Sequence, residues 1–201
     1  SPIQVPRSVG DLRFMAHCGC IWPNVRFVGF EINEYLHKAN RLIAFIGGAQ
    51  IDPYGNVNST SIGDYHHPKT RFTGSGGANG IATYSNTIIM MQHEKRRFMN
   101  KIDYVTSPGW IDGPGGRERL GLPGDVGPQL VVTDKGILKF DEKTKRMYLA
   151  AYYPTSSPED VLENTGFDLD VSKAVELEAP DPEVIKLIRE EIDPGQAFIQ
   201  V

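Results

Sequence analysis

The chain has 201 residues, of which 40% are hydrophobic and 23% are charged. That length and balance fit one domain with a core and exclude an intrinsically disordered chain. A membrane-spanning helix requires about eighteen consecutive apolar residues, and the sequence contains no such run. The formal net charge is −4, whereas binding to a nucleic-acid backbone requires an excess of cationic residues. The 21 glycines and 14 prolines favour a compact α/β or β-rich domain with elaborate loops.

The beginning of the chain carries both cysteines, Cys18 and Cys20. Two thiols separated by one residue do not make a disulfide framework, so we expect a reducing, cytoplasmic location. The sequence begins at Ser1 without a methionine or a signal-peptide pattern and resembles the interior of a longer protein.

Apolar runs mark the first half of the chain. Residues 27–39 are compatible with a helix that leads into a strand at 42–46. This strand is apolar throughout and stops at two glycines, which is typical of a strand buried on both faces of a parallel sheet. Further strands are predicted at 87–91 and 102–106.

The following segment predicts an antiparallel hairpin. Its two strands occupy 129–134 and 136–140, and another strand follows at 147–153. With the upstream strands, this predicts an α/β domain with an open, mostly parallel sheet, flanking helices and an appended antiparallel hairpin.

Two helices are predicted near the end of the chain. Ser157 and Pro158 form a start signal for a helix that Gly166 ends. The dipeptide Asp181-Pro182 starts the next helix. Its apolar side chains are expected to line one face: Val184, Ile185, Leu187, Ile188 and Ile192.

The strongest local feature is the glycine-rich loop 74–80, with the sequence GSGGANG, between a predicted strand end at Phe72 and a predicted helix. Backbone N–H groups at such a turn can bind a phosphate or a developing oxyanion. The loop is neither a P-loop nor a dinucleotide fingerprint, because no Gly-Lys-Ser/Thr follows and Asn79 takes the third glycine position. A tight turn without a ligand is an equally open interpretation.

Residues 107–128 form a long segment rich in glycine and proline, with Arg117 and Arg119 near its middle. Loops of this length usually bind something or are disordered. We expect a contribution to a site or a subunit interface, with the arginines meeting a carboxylate or phosphate.

Histidines give three weak metal candidates: His17 with the cysteines, Glu34 with His37, and the His66-His67 pair beside Asp64. Each lacks the further ligands that a closed site needs, so no metal site is predicted. The basic stretch 93–97 is expected to be a solvated face unless it approaches the glycine loop. No Gly-x-Ser-x-Gly elbow supports a serine hydrolase.

Three ordered motifs resemble the β subunit of two-subunit, family I CoA-transferases. They are GGAQIDPYGNVN at 47–58, the glycine-rich loop, and TSPG at 106–109 followed by VVTD at 131–134. The resemblance covers nearly the whole chain. It implies one CoA-transferase domain over 1–201 that is truncated at its N-terminus.

The resemblance implies ping-pong transfer of CoA between acetyl-CoA and a dicarboxylate such as glutaconate or 2-hydroxyglutarate, through a glutamyl-CoA thioester. The backbone amides of Gly76, Gly77 and Ala78 are then the expected oxyanion donors. Gly74, Asn79 and Asn56 are the expected CoA-binding residues. CoA thioester is a substrate, and no permanently bound cofactor is expected.

The family's nucleophile is a glutamate in a Glu-Ser-Gly motif, which does not occur in this sequence. The resemblance therefore places the nucleophile upstream of Ser1 and requires two partners, the upstream segment and an α subunit. Two alternatives stay open: a relative that hydrolyses acyl-CoA or opens a ring, and a non-catalytic subunit that only completes the CoA pocket.

Overall fold

The computed structural model describes residues 43–195. The predicted helix at 27–39, both cysteines, His17, Glu34 and His37 lie outside the described residues. The strands, in chain order, are β1 (Ile43–Ile46), β2 (Gln50–Ile51), β3 (Val57–Asn58), β4 (Ser61–Ile62), β5 (Thr70–Arg71), β6 (Asn86–Met90), β7 (Pro128–Val132), β8 (Gly136–Phe140), β9 (Met147–Tyr152) and β10 (Val175–Glu176).

Six of these strands form one mixed sheet in the order β1-β6-β7-β8-β9-β10. The pairs β1/β6, β6/β7 and β9/β10 are parallel, whereas β7/β8 and β8/β9 are antiparallel. The predicted α/β class, mostly parallel sheet and appended hairpin are thus confirmed. Two small antiparallel ribbons, β2/β3 and β4/β5, lie outside this sheet.

The core lies against one face of the large sheet. Alternation along β6 to β9 directs Ile89, Val131, Leu138 and Leu149 to that face, where each is fully buried. Phe98 and further apolar residues pack into the same cluster: Ile51, Val57, Ala82, Met147, Val161 and Leu169. Burial of Ile51 and Val57 in this cluster holds the β2/β3 ribbon against the sheet.

The opposite face of β1 departs from expectation. Ile43 and Phe45 are 67% and 66% exposed, so the prediction of burial on both faces is wrong for the described part of this strand. The alternation there is one-sided, with only Ile46 buried.

The strand predicted at 102–106 is also absent. This segment forms turns and bends, and Ser107 makes only an isolated bridge to Val57. Side chains take the place of a strand partner, because the Asp103 amide and carboxylate both bond to the Gln50 amide group.

Residues 43–195 contain four short helices: α1 (Ala78–Tyr84), α2 (Gly116–Arg119), α3 (Pro158–Glu163) and α4 (Pro182–Leu187), which continues into a π-helical turn (Ile188–Ile192). Ser157 caps α3 as predicted, because its side chain accepts from the Asp160 N–H. The last helix also forms where predicted, but none of its residues is buried, so its apolar face has no cover among residues 43–195. No described helix is long and apolar enough to cross a membrane.

The motif at 47–58 builds a scaffold. Asp52 accepts hydrogen bonds from the backbone N–H groups of Tyr54 and Asn56 and from the Asn56 side chain, which closes the turn at Gly55. Burial raises the pKa of Asp52 above its usual value, and the hydrogen bonds from Asn56 and Tyr54 oppose that rise. This turn anchors the later loop, since the Trp110 N–H donates to Tyr54 O.

Candidate functional site

The glycine-rich loop leads from β5 into α1, as predicted. Gly74 and Gly76 adopt φ values of 88° and 48°, in the left-handed region that favours glycine. A Cβ atom at either position would meet nothing within 4 Å. Backbone conformation, rather than space, therefore requires these two glycines, and the loop presents an open surface.

The amides of this loop differ in their availability. The Ala78 N–H donates to Ser75 O at 2.8 Å, which closes the turn that begins α1. Among the described residues, the N–H groups of Gly76 and Gly77 have no such partner. Two of the three predicted oxyanion donors are thus available in this conformation, and the third is engaged within the loop.

The loop forms one wall of a cavity of about 790 Å³. The other described walls come from the β4–β5 ribbon, the segment 104–106 and the long loop 107–128. The lining residues are Thr60, Tyr65, Arg71, Gly74, Ser75, Gly76, Asn79, Gly80, Thr83, Tyr84, Tyr104, Val105, Thr106 and Leu122. Leu122 thus brings the long loop to the site, as the sequence predicts.

Tyr65, Arg71 and Tyr104 form an aromatic and cationic corner of the cavity wall. Tyr65 and Tyr104 stack with ring centroids 5.1 Å apart and an interplanar angle of 18°. The Arg71 guanidinium carbon lies 4.9 Å from the Tyr65 ring centroid, and Nη2 donates to Tyr65 O at 2.8 Å. Sequence reasoning missed these three residues, although an arginine three positions before the glycine-rich loop is a usable signal.

Thr106 joins the walls of the cavity. Its carbonyl accepts from Asn79 Nδ2 at 3.0 Å, and its hydroxyl lies 2.8 Å from the Thr60 hydroxyl. The Ser59 N–H donates to the same Thr106 hydroxyl at 2.8 Å. Asn58 extends the network, since its Oδ1 accepts from the Thr60 N–H at 2.9 Å. Asn58 is buried, and this bond helps to hold Thr60 in the cavity wall.

Asn56 does not line the cavity. Its side chain donates to Asp52 and to Ile111 O, each at 2.7 Å, and accepts from the Gly109 N–H at 2.8 Å. The residue is buried, so every polar atom of the side chain is used within the scaffold. Asn56 therefore has no polar side-chain atom free for a ligand in this conformation, and its contact with CoA stays a prediction.

Arg117 also departs from expectation. It is 1% exposed, and its donors reach five backbone carbonyls, those of Pro123, Pro108, Gly109, Ala82 and Thr83, at 2.7 to 3.3 Å.

The predicted carboxylate or phosphate partner of Arg117 is therefore wrong, because this guanidinium ties the long loop to the last turn of α1. Burial lowers its pKa to about 10, which still leaves it charged at neutral pH. Arg119 does meet a carboxylate, since it pairs with Asp112 in an exposed contact.

The remaining candidates are not among the residues that line the cavity. The backbone N–H groups of His66 and His67 both donate to Asp64 Oδ1, and these residues are exposed. Within residues 43–195, no group of three His, Cys, Asp or Glu side chains is arranged to hold a metal ion. In the basic stretch, Glu94 accepts from Arg96 and Arg97, and none of the three lines the cavity.

Comparisons with known proteins agree with this architecture. The family model for coenzyme A transferases matches residues 1–164. The chain therefore belongs to the coenzyme A transferase family and is a subunit of a transferase enzyme.

Similarity to individual proteins is more specific than the match to the family. The chain is 98% identical over 201 residues to a glutaconate CoA-transferase subunit of Acidaminococcus fermentans, covering 100% of this chain and 76% of the relative. It is 34% identical over 185 residues to a 3-oxoadipate CoA-transferase subunit of Pseudomonas knackmussii, covering 91% and 69%. The crystal structure of glutaconate coenzyme A-transferase from A. fermentans superposes with a TM-score of 0.86 at 98% identity, covering 100% of this chain and 77% of that one.

Proposed function

We propose that this chain is the β-type subunit of an enzyme that moves CoA between acetyl-CoA and a dicarboxylate such as glutaconate or 2-hydroxyglutarate. The observation that carries this proposal is the 98% identity to a glutaconate CoA-transferase subunit over the whole chain. The cavity agrees with it, because it joins open loop amides, a polar threonine network and one arginine.

The proposed reaction begins when a glutamate carboxylate attacks the thioester carbonyl of acetyl-CoA. The carbonyl electron pair moves to oxygen, and collapse of that oxyanion expels CoA thiolate and leaves a mixed anhydride. The thiolate then attacks the glutamyl carbonyl, which releases acetate and forms the glutamyl-CoA thioester. The acceptor carboxylate repeats the exchange in reverse, so no oxidant, reductant or net proton transfer is required.

The amides of Gly76 and Gly77 are the proposed donors to each oxyanion. Their positions in a rigid turn favour this role, because donors that are already oriented need no reorganisation during the reaction. The proposal retains Gly74 and Asn79 as contacts to CoA. Asn79 lines the cavity and spends its Nδ2 group on Thr106 O. CoA thioester is the substrate here, and the proposal includes no permanently bound cofactor.

The nucleophilic glutamate and part of the pocket are proposed to come from outside these 201 residues. No glutamate lines the described cavity, and no Glu-Ser-Gly motif occurs in the sequence. Both relatives are named as one subunit of a larger enzyme, which supports an α subunit as partner. A cytoplasmic location remains part of the proposal.

Intact-mass spectrometry of the assembled enzyme after incubation with acetyl-CoA tests the mechanism. We expect an adduct of CoA mass on the polypeptide that carries the glutamate, and its loss when glutaconate is added. An enzyme that turns over without any CoA adduct would contradict the thioester route.

The hydrolase and non-catalytic alternatives are less well supported, since the A. fermentans and P. knackmussii relatives are both CoA-transferases. Release of free CoA from acetyl-CoA without an acceptor acid would favour hydrolysis. Binding of CoA without exchange would favour a non-catalytic subunit.

A further inference from the structure

Arg71 is an uncompensated cation in the cavity. Among the described lining residues it is the one lysine or arginine, and none is an aspartate or glutamate. Arg71 also takes part in no ion pair within residues 43–195. The described walls of the cavity therefore offer a positive charge that no carboxylate of residues 43–195 neutralises, which favours an anionic ligand.

The guanidinium is oriented by its surroundings. Its Nη2 donates to Tyr65 O at 2.8 Å, and its central carbon lies 4.9 Å from the centroid of the Tyr65 ring, which in turn stacks on Tyr104. Among the described residues, Nε and Nη1 have no hydrogen-bond partner. Each of these free donors can form a charge-assisted hydrogen bond with an oxygen of a carboxylate.

The length of each candidate anion bears on which one suits this position. Arg71 and Gly76 line the same cavity of about 790 Å³. The two carboxyl carbons of a five-carbon diacid are four bonds apart, or roughly 5 Å in an extended chain. The diphosphate of CoA is thirteen bonds from the sulfur, or roughly 16 Å when extended, so it would lie much farther from the reacting carbonyl than the second carboxylate of a diacid.

We propose that Arg71 binds the distal carboxylate of the dicarboxylate substrate while its reacting carboxyl lies at the glycine-rich loop. Arg71 is then a determinant of specificity for diacids over monoacids. This inference rests on the proposed function, because it takes a dicarboxylate as the acceptor.

Arg71→Met in the assembled enzyme tests this assignment through two reactions. The first is transfer from acetyl-CoA to glutaconate, which needs the distal carboxylate. The second is exchange of labelled acetate into acetyl-CoA, which needs the same CoA site and chemistry but has no distal carboxylate.

Loss of a charged hydrogen bond predicts a rise of at least ~10-fold in KM for glutaconate, with acetate exchange unchanged within about twofold. Arg71→Lys should recover part of the lost affinity because it keeps the charge. Arg146 provides a matched control, since its guanidinium carbon lies 5.9 Å from the Tyr54 ring and its Nη2 donates to Asp168 O at 3.2 Å. Arg146→Met should alter neither reaction.

Equal losses in both reactions, or no change in either, would overturn the assignment of Arg71. A rise in KM for acetyl-CoA alone would overturn it as well, by placing a CoA phosphate on Arg71. The wild-type enzyme is assayed first. If it exchanges acetate but transfers no CoA to glutaconate or 2-hydroxyglutarate, the proposed acceptor itself is refuted, independently of any variant of Arg71.

Discussion

Replacement of Arg117 by methionine is expected to be the most destabilising single change at the back of the candidate site. The methionine keeps much of the apolar stem but removes all five N–H donors, so the five carbonyls lose their charged partner. Loss of one partner from a buried charged network typically costs about 3–5 kcal/mol. In a chain of this size, that corresponds to a fall in Tm on the order of 10 °C.

Two further variants separate the network from a general effect of arginine. Arg117→Lys restores the charge with three donors, which leaves at least two carbonyls unpaired and predicts roughly half of the methionine effect. Arg119→Met lies on the same short helix and removes only an exposed ion pair with Asp112, which is worth at most about 1 kcal/mol. Thermal unfolding of the assembled enzyme measures all three, and equal shifts for Arg117→Met and Arg119→Met would refute the reasoning.

Three other changes test the glycine-rich loop, the core and the scaffold. Gly77 has φ −82°, which proline adopts, and its N–H has no partner among the described residues, so Gly77→Pro should remain folded while it removes one proposed oxyanion donor. We expect CoA transfer to fall about a hundredfold or more, and near-normal transfer would exclude the oxyanion role of this amide. Burial lowers the pKa of His93 to about 4 from 6.5, so between these pH values the unfolded chain binds a proton that the folded chain does not. The free energy of unfolding should therefore fall by about 3 kcal/mol as pH drops from 6.5 to 4. His93→Gln should flatten this pH dependence, and an unchanged slope would show that His93 does not cause it. A Cβ atom at Gly109 would lie 2.3 Å from the Gly55 carbonyl carbon, so Gly109→Ala should lower Tm by several degrees. A Cβ atom at Gly195 would meet nothing within 4 Å, so Gly195→Ala should leave Tm unchanged. Equal Tm values for the two variants would contradict the close approach at Gly109.

Local patterns predict the sheet well where side-chain alternation and turn chemistry agree. Strands β6 to β9 occupy the predicted runs because one face of each is buried in the core. The segment 102–106 has similar composition, but its polar groups bond to side chains and its Tyr104 and Val105 line the cavity. The difference lies in tertiary partners, which a run of β-forming residues does not encode.

The candidate site likewise contains some features that the sequence predicts and others that it does not. The glycine-rich loop is predictable because positive φ values at Gly74 and Gly76 are a local requirement that the sequence displays directly. The stacking of Tyr104 on Tyr65 joins parts of the chain that are distant in sequence, so no spacing rule predicts it. Asn56 shows the converse, since a motif identifies an important polar residue without showing whether it faces a ligand or the backbone.

The glycine-rich loop is flexible by composition, yet the helix α1 that it leads into is tied to other segments at both of its ends. Asn79 is tied to Thr106 at the start of α1, and Arg117 holds the Ala82 and Thr83 carbonyls near its end. An oxyanion donor is effective only when its orientation is set before the reaction. Arg117 therefore connects stability to catalysis: below the Tm of Arg117→Met, we expect slower CoA transfer with KM for acetyl-CoA little changed, because the amides of Gly76 and Gly77 lose a support that the substrate itself does not touch.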